Sequence, residues 1–363
     1  MLKLNPKELL EVRKSYCDLP LTKIIINSWG EVSMCCHQLK QIGKLTEETD
    51  ILSIWNNIWA KSIRTSVLDN KLHSICTSWN SCPFIVDEKY EQDVLCYKNF
   101  RYPTVLEICL PDTHCNIGGM TPTEDNPACI MCQRNFRKPS QPNLIDFICR
   151  KVKPIMPYIK HLSVLGIAEP FWKDALFDIY EKVEFHKYKS DCRFFTNTNV
   201  ICLNEKTIRN FFNLTDISTI SFSIDAASAE VFKSIRRLDL YDKVLENARN
   251  YLRIRNEFGG KDKHSVCIWN NINMMNVHEM VKMVEMAFEL GVDYMIMLPT
   301  YDQAGIVDLG DLMLNETNLP VFKENSEKAM IRSKELGLNL KYIKRFDIIP
   351  PSIKSQQLIQ LVL

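Results

Sequence analysis

A chain of 363 residues, 46% of them apolar, is long enough to bury one large core with a smaller one beside it. Its 45 Lys plus Arg nearly balance 44 Asp plus Glu, and a net charge of +1 gives no field that would draw the whole protein to nucleic acid or a membrane. The opening MLKLNPKELLEVRKSY has no apolar signal region, and no window approaches the roughly 20 apolar residues of a membrane span, so a cytoplasmic protein with neither nucleic-acid nor membrane partners is expected.

Fourteen cysteines in such a chain read as metal ligands or buried thiols before disulfides. Residues 1–97 hold a predicted helix from Asn5 to Lys14, then an apolar run ending in a turn, KIIINSWGEVSMCC. An aromatic helix, ILSIWNNIWAKSIR, and a Cys-bearing loop, CTSWNSC, follow. That is little core for its length, and the spaced cysteines fit a module stapled by metal.

From about residue 98 short apolar runs alternate with helical patterns. TVLEICLP precedes a helix from Asn143, HLSVLGI precedes FWKDALFDIYEKV, and RFFTNTN precedes KTIRNFFN. TISFSID leads into AEVFKSIRR and VLENARNYLRIR, HSVCIWNN into VHEMVKMVEMAFELG, and DYMIMLP into a helix through Glu327 to Glu335. Six βα units predict an α/β protein with a parallel sheet buried on both faces. The expected division is 1–97, 98–312 and a C-terminal extension at 313–363 that packs on the second region.

Polar residues close these strands: Asp112 and His114, Glu169, Thr196 and Asn197, Asp225, Asn270 and Asn271, and Thr300. The C-terminal rim is where α/β folds bind ligands, because strands fix the positions while the loops vary.

The first of these loops reads LPDTHCNIGGMTPTEDNPACIMCQRN and spaces Cys115, Cys129 and Cys132 as C-x13-C-x2-C. A Cys-x2-Cys pair brings two thiolates to one metal centre, and a Gly- and Pro-bearing loop can return a third. Three thiolates would leave one iron of a four-iron cluster open. With His114 as a fourth ligand the same loop would suit structural zinc, so both remain open at this point.

The following strand ends carry a resemblance to the radical S-adenosylmethionine superfamily. Its three-cysteine loop follows the first barrel strand, and its Gly-Gly-Glu-Pro element is matched by Gly166-Ile167-Ala168-Glu169-Pro170. Thr196-Asn197 ends the third strand, and Ser223-Ile224-Asp225 precedes a helix ending Ile235-Arg236-Arg237. The resemblance implies a partial (β/α)6 barrel over 98–312, with Cys115, Cys129 and Cys132 on a 4Fe-4S cluster. It also implies that S-adenosyl-L-methionine is held by Gly166, Ala168, Glu169, Asn197, Ser223, Asp225 and Arg236. Glu169 would take the amino group and Arg236 the carboxylate, since a zwitterion needs one anion and one cation. The first cysteine gap is longer than the usual three residues, Met131 stands where an aromatic residue commonly faces the adenine, and Ala168 replaces a glycine.

The N-terminal segment, residues 1–97, resembles the SPASM or twitch auxiliary module of the same superfamily. Twelve residues separate Cys17 from Gly30 and four separate Gly30 from Cys35, with Cys76-x5-Cys82 further on. Ile42-Gly43-Lys44-Leu45 and Ile54-Trp55-Asn56 also match the module. One auxiliary 4Fe-4S cluster on Cys17, Cys35, Cys76 and Cys82 is implied, with Cys36 and His37 as neighbouring substitutes and His73 where another cysteine might stand. The module usually follows the barrel, so its place here implies either rearranged domains or a piece of a longer tandem protein.

The implied activity is reductive cleavage of S-adenosylmethionine and hydrogen abstraction from a substrate, a peptide or protein side chain being the leading class. An electron donor such as flavodoxin or ferredoxin would be its partner. The alternatives are a zinc-binding structural protein and an inactive scaffold of the same fold. Cys96, Cys109, Cys149, Cys192, Cys202 and Cys267 read as buried small hydrophobes, and Met274, Met275 and the Met-rich run from Met280 to Met297 as core packing.

Overall fold

The computed structural model describes residues 10–15, 17–35, 41–69, 71, 73–75, 92–111, 113–119, 121–135, 144–300 and 309–341. Cys36, His37, Cys76, Cys82 and Asp112 lie outside them, as does the CTSWNSC loop. The protein is a mixed α/β chain with a large, mainly parallel sheet. It divides into two compact units. One comprises Met1–Pro111, Ser140–Gly166 and Asp174–Phe195, the other Asp112–Pro139, Ile167–Lys173 and Thr196–Leu363.

In the first unit β1 (Leu10–Ser15) is a strand, not the end of the helix predicted over Asn5–Lys14. It pairs antiparallel with β5 (Gln92–Tyr97) in the register Leu10 to Tyr97, a partner some eighty residues away that overrides the local helical spacing. Between them lie β2 (Lys23–Ile26), β3 (Glu31–Ser33) and the short β4 (Gly43–Lys44). The predicted aromatic helix is two: Ile51–Trp55 and Ile58–Leu68, the second capped where Asn57 accepts from the Ala60 N–H at 2.8 Å. Trp55 is fully buried and donates to the Phe100 carbonyl at 2.7 Å, while the Arg64 guanidinium covers its ring at 4.6 Å.

β6 (Val105–Cys109) and β7 (His161–Leu165) continue this unit in parallel, and β2 pairs in parallel with β6, giving the order β7-β6-β2-β3-β4. The N-terminal segment therefore contributes strands to the same sheet as the first strand beyond residue 98. Leu106, Ile108, Leu162 and Val164 are fully buried.

β8 (Arg193–Thr198) runs from the first unit into the second. The second unit has β9 (Ser218–Phe222), β10 (His264–Ile272), β11 (Tyr294–Pro299) and β12 (Leu340–Lys341), in the order β12-β11-β10-β9 and parallel throughout. β9 and β11 bury near-continuous runs, as strands covered on both faces do. The helices at 205–214, 229–236, 241–257, 280–290 and 319–336 fall where the periodicity places them. Met280, Met283, Met295 and Met297 are fully buried, as expected of core residues, as are Cys96, Cys149, Cys192 and Cys267 to within 1%. Cys109 and Cys202 are half-buried. Among the described residues no helix is long and apolar enough to cross a membrane.

Candidate functional site

The cysteine loop, described over 113–119 and 121–135, belongs to the second unit. Its long first gap closes because the two arms meet. Gly118 has φ of +76°, and a Cβ there would stand 2.8 Å from the Ala128 nitrogen. Arg134, 6% exposed, then ties the outgoing arm: Nη1 donates to the Ile117 carbonyl at 2.8 Å and Nη2 to that of Gly119. The Asn135 amide donates to the Cys129 carbonyl at 2.7 Å, and the Cys132 N–H to the same oxygen at 2.9 Å.

Cys129 is 8% exposed and lies within electrostatic reach of both Cys115 and Cys132. Burial pushes the Cys115 thiol up to about 12 and also raises Cys132. No group of three His, Cys, Asp or Glu side chains is pre-assembled at metal-binding distance among the described residues. The donor set is nonetheless three thiols on one tied loop, with no carboxylate among them, and this suits iron–sulfur ligation. His114, the candidate fourth ligand for zinc, directs Nε2 to the Trp172 carbonyl at 2.5 Å and tilts against the Trp172 ring at 5.1 Å. Cys202, read from sequence only as a hydrophobe, lies within electrostatic reach of Cys115 and Glu169.

Glu169 is 1% exposed. Its N–H donates to the His114 carbonyl at 2.8 Å. Its carboxylate accepts from Thr198 Oγ1 at 2.7 Å, the Asn199 N–H at 2.7 Å and the Phe171 N–H at 3.2 Å. Asn199 in turn donates through Nδ2 to Asn116 Oδ1 at 2.7 Å, linking the strand end to the cysteine loop. Burial raises Glu169 to about 7 against these donors, so an arriving ammonium would find a desolvated anion to neutralise. That fits the amino group of S-adenosylmethionine.

Arg236 ends the helix Ala229–Arg236, which Ser228 caps by accepting from Val231. Its Nη2 donates to the Ser223 carbonyl at 2.8 Å and pairs with the fully buried Asp225 carboxylate. Its Nη1 donates to Cys129 Sγ at 3.7 Å. Burial would lower its pKa, but Asp225 and Cys129 outweigh that and hold it above the ordinary value. Asp225 also accepts from the Asn271 N–H at 2.8 Å. The terminal nitrogens of Arg236 are thus engaged, while Nε, also buried, has no partner among the described residues.

Of the remaining candidates, Met131 meets the Asn273 amide at 4.0 Å. Asn197 Oδ1, Asn270 Oδ1 and Thr300 Oγ1 are buried without a hydrogen-bond partner among the described residues. Ala168 is half-buried. Gly166, in the first unit, has φ of +123°, and a Cβ there would lie 2.9 Å from the Leu110 carbonyl oxygen. Arg134, Asn116 and Asn199 were missed by sequence reasoning. Only Asn199 had a signal, the repeated Thr-Asn-Thr-Asn at 196–199.

In the first unit, half-buried Cys17 packs against Leu21 and Val67, and Cys35 follows β3. Cys76 and Cys82 lie outside the described residues. His73 Nε2 is 3.3 Å from Ser62 Oγ, and Nδ1 accepts from the Ile75 N–H at 3.2 Å.

The fold and site define an α/β protein with a tied three-thiol loop beside buried acidic and basic groups. Residues 17–83 match the family model of SPASM, an iron–sulfur cluster-binding domain. Among solved structures, SuiB of Streptococcus suis bound to the precursor peptide SuiA aligns with a TM-score of 0.47 at 14% identity, over 87% of this chain and 70% of SuiB. anSMEcpe with bound AdoMet and a Cp18Cys peptide aligns with a TM-score of 0.45 at 14% identity, over 66% of this chain and 63% of that one. A radical SAM methyltransferase from Sphaerobacter thermophilus gives 0.39 at 10% identity, over 60% and 64%. In another SuiB structure the chain spans only 48% of that protein's length. No curated protein sequence matches the chain.

Proposed function

We propose that the chain is a radical S-adenosylmethionine enzyme with a partial (β/α)6 barrel and an auxiliary cluster in its N-terminal module. The observation that carries this reading is the linkage, within one unit, of the three-cysteine loop to Glu169 through His114 and the Asn116–Asn199 pair, and to Arg236 through Cys129. Cys115, Cys129 and Cys132 would hold a 4Fe-4S cluster, which would supply the electron for reductive cleavage of S-adenosylmethionine and so the means to abstract hydrogen from a substrate.

The chain's own residues bind and orient. Glu169 holds the cofactor's ammonium as a buried anion, and its Thr198, Asn199 and Phe171 donors fix the carboxylate plane. Met131, Ala168, Asn197, Ser223 and Asp225, all in the second unit, would make the remaining cofactor contacts in this reading. Asn197, Asn270 and Thr300 each bury an oxygen that has no hydrogen-bond partner among the described residues, and a polar group of a ligand would satisfy it. A peptide or protein side chain is the proposed substrate class. Cys17, Cys35, Cys76 and Cys82 are the proposed auxiliary ligands, consistent with the SPASM match, and a flavodoxin or ferredoxin the proposed electron donor.

The test is anaerobic purification with iron and sulfide quantified, followed by incubation with S-adenosylmethionine and dithionite. The wild type is expected to be brown, to hold about eight irons as two four-iron clusters require, and to release 5′-deoxyadenosine. A Cys115→Ala, Cys129→Ala, Cys132→Ala variant is expected to keep about half the iron and release none. A colourless protein with bound zinc, or a brown one that cleaves nothing, overturns the reading.

A further inference from the structure

Arg236 is buried at the end of its helix, and among the described residues its terminal nitrogens meet a thiol, a carbonyl and a carboxylate. The cysteine loop is fastened to the same helix end, because the Ile130 N–H donates to the Ile235 carbonyl at 3.0 Å. That bond places Cys129 Sγ beside the guanidinium and fixes its approach. From the proposed three-thiolate cluster, on which this inference rests, we infer that Arg236 is a positioning residue that donates an N–H···S hydrogen bond to Cys129 and raises the reduction potential of the loop's cluster, with Asp225 as the counter-charge that limits the rise.

The chemistry follows from the charges. A one-electron reduction, the electron coming from an external reductant, adds a negative charge to an assembly already bearing thiolates. A guanidinium cannot give up its proton, so it remains a cation beside that charge, and an N–H bond to a ligating sulfur favours the more electron-rich state. The side chain of Asp225 is fully buried and that of Arg236 is 10% exposed, so water screens neither. Asp225 cancels part of the cation's field. The role assigned to Arg236 by resemblance, gripping the cofactor's carboxylate, would have to use Nε, which has no partner among the described residues, or the second N–H of Nη1.

The experiment is a potentiometric titration of the full reconstituted chain, followed by electron paramagnetic resonance. The loop cluster's signal is the one absent from the Cys115/Cys129/Cys132 triple Ala variant. Arg236→Gln is expected to lower that midpoint so that the ratio of reduced to oxidised cluster at the wild-type midpoint falls about tenfold, a shift of about 59 mV for one electron. Asp225→Asn, which leaves the cation uncompensated, is expected to move it upward, and the auxiliary signal is expected to stay in place in both. Opposite shifts from two halves of one ion pair are not what a general loosening produces.

An unchanged midpoint in Arg236→Gln with iron retained overturns the inference, above all if the affinity for S-adenosylmethionine falls instead, which would return Arg236 to the carboxylate. If Arg236→Gln does not fold, Asp225→Asn decides, and a midpoint that stays or falls overturns it. If wild type and triple variant hold equal iron, the loop carries no cluster, and the functional reading itself falls along with this one.

Discussion

The Asn199 N–H donates to the Glu169 carboxylate at 2.7 Å while the Asn199 side chain reaches Asn116 on the cysteine loop at 2.7 Å, so one residue couples the loop to the buried acid. Glu169→Gln would keep the shape but not the pattern of acceptors. Whichever way the amide turns, its NH2 faces the N–H of Phe171 or of Asn199, and a buried donor left unpaired costs about 1–3 kcal/mol. The variant is expected to unfold at lower urea and, in the cofactor reading, to bind S-adenosylmethionine at least tenfold more weakly under anaerobic equilibrium dialysis. Unchanged binding would remove Glu169 from the cofactor site and leave it as a structural residue.

Arg134 carries a second expectation. Its guanidinium donates to two carbonyls, on Ile117 and Gly119, and a side chain cut to Ala can donate to neither. The buried Ile117 carbonyl would be left short of a donor at about 1–3 kcal/mol, the half-buried Gly119 carbonyl at less, and the loop's arms would separate. Arg134→Ala is expected to lose iron from the loop cluster while the auxiliary iron stays, so iron per chain should fall by about half, as two four-iron clusters imply. Full iron content together with an unshifted melting temperature would contradict this.

How the sequence discloses such a site depends on what kind of partner each residue has. Cys115, Cys129 and Cys132 stood out in the sequence because ligation would demand one residue type at short spacing, and the structure carries them on one tied loop. The strands from Val105 to Pro299 were legible because burial on both faces writes apolar runs into the chain. Arg134 was not legible: its partners are backbone carbonyls, which have no sequence identity, and a loop imposes no period. Leu10–Ser15 misled because charged and apolar residues there follow helical spacing, whereas the deciding partner, Gln92–Tyr97, is remote. The aromatic segment at 51–68 gave helix but not the break at Asn56-Asn57, where the first asparagine ends one helix and the second caps the next.

Gly166 was singled out as a cofactor contact, yet its backbone already requires glycine. At φ of +123° an L side chain is strained, and its Cβ would press on the Leu110 carbonyl at 2.9 Å. Gly166→Ala is therefore expected to destabilise the protein by about 1–3 kcal/mol without any cofactor present, read as a lower urea midpoint. A midpoint equal to that of wild type, with cofactor affinity alone reduced, would assign this glycine to the ligand instead.

A pH dependence far from the thiols follows from His264, which opens β10 and is 1% exposed. Its Nδ1 lies 2.8 Å from Ser218 Oγ, and its ring meets that of Phe212 edge-on at 4.7 Å. Burial holds its pKa down to about 4; Lys263 and Arg255 push the same way, and the Phe258 backbone and Asp216 oppose them. In the unfolded chain the imidazole titrates near 6.5, so between about 6.5 and about 4 the unfolded state binds a proton that the folded state refuses. The contribution is fully present above that window and is lost as pH falls through it, on the order of 3 kcal/mol across its whole width. Urea unfolding at about pH 7.5, 6 and 5 should give a falling midpoint in wild type. In His264→Gln, whose amide does not titrate, the fall should be shallower by that share. Parallel slopes in the two proteins would mean that His264 takes up its proton equally well in the folded state, and that the packing against Phe212 and Ser218 does not exclude it.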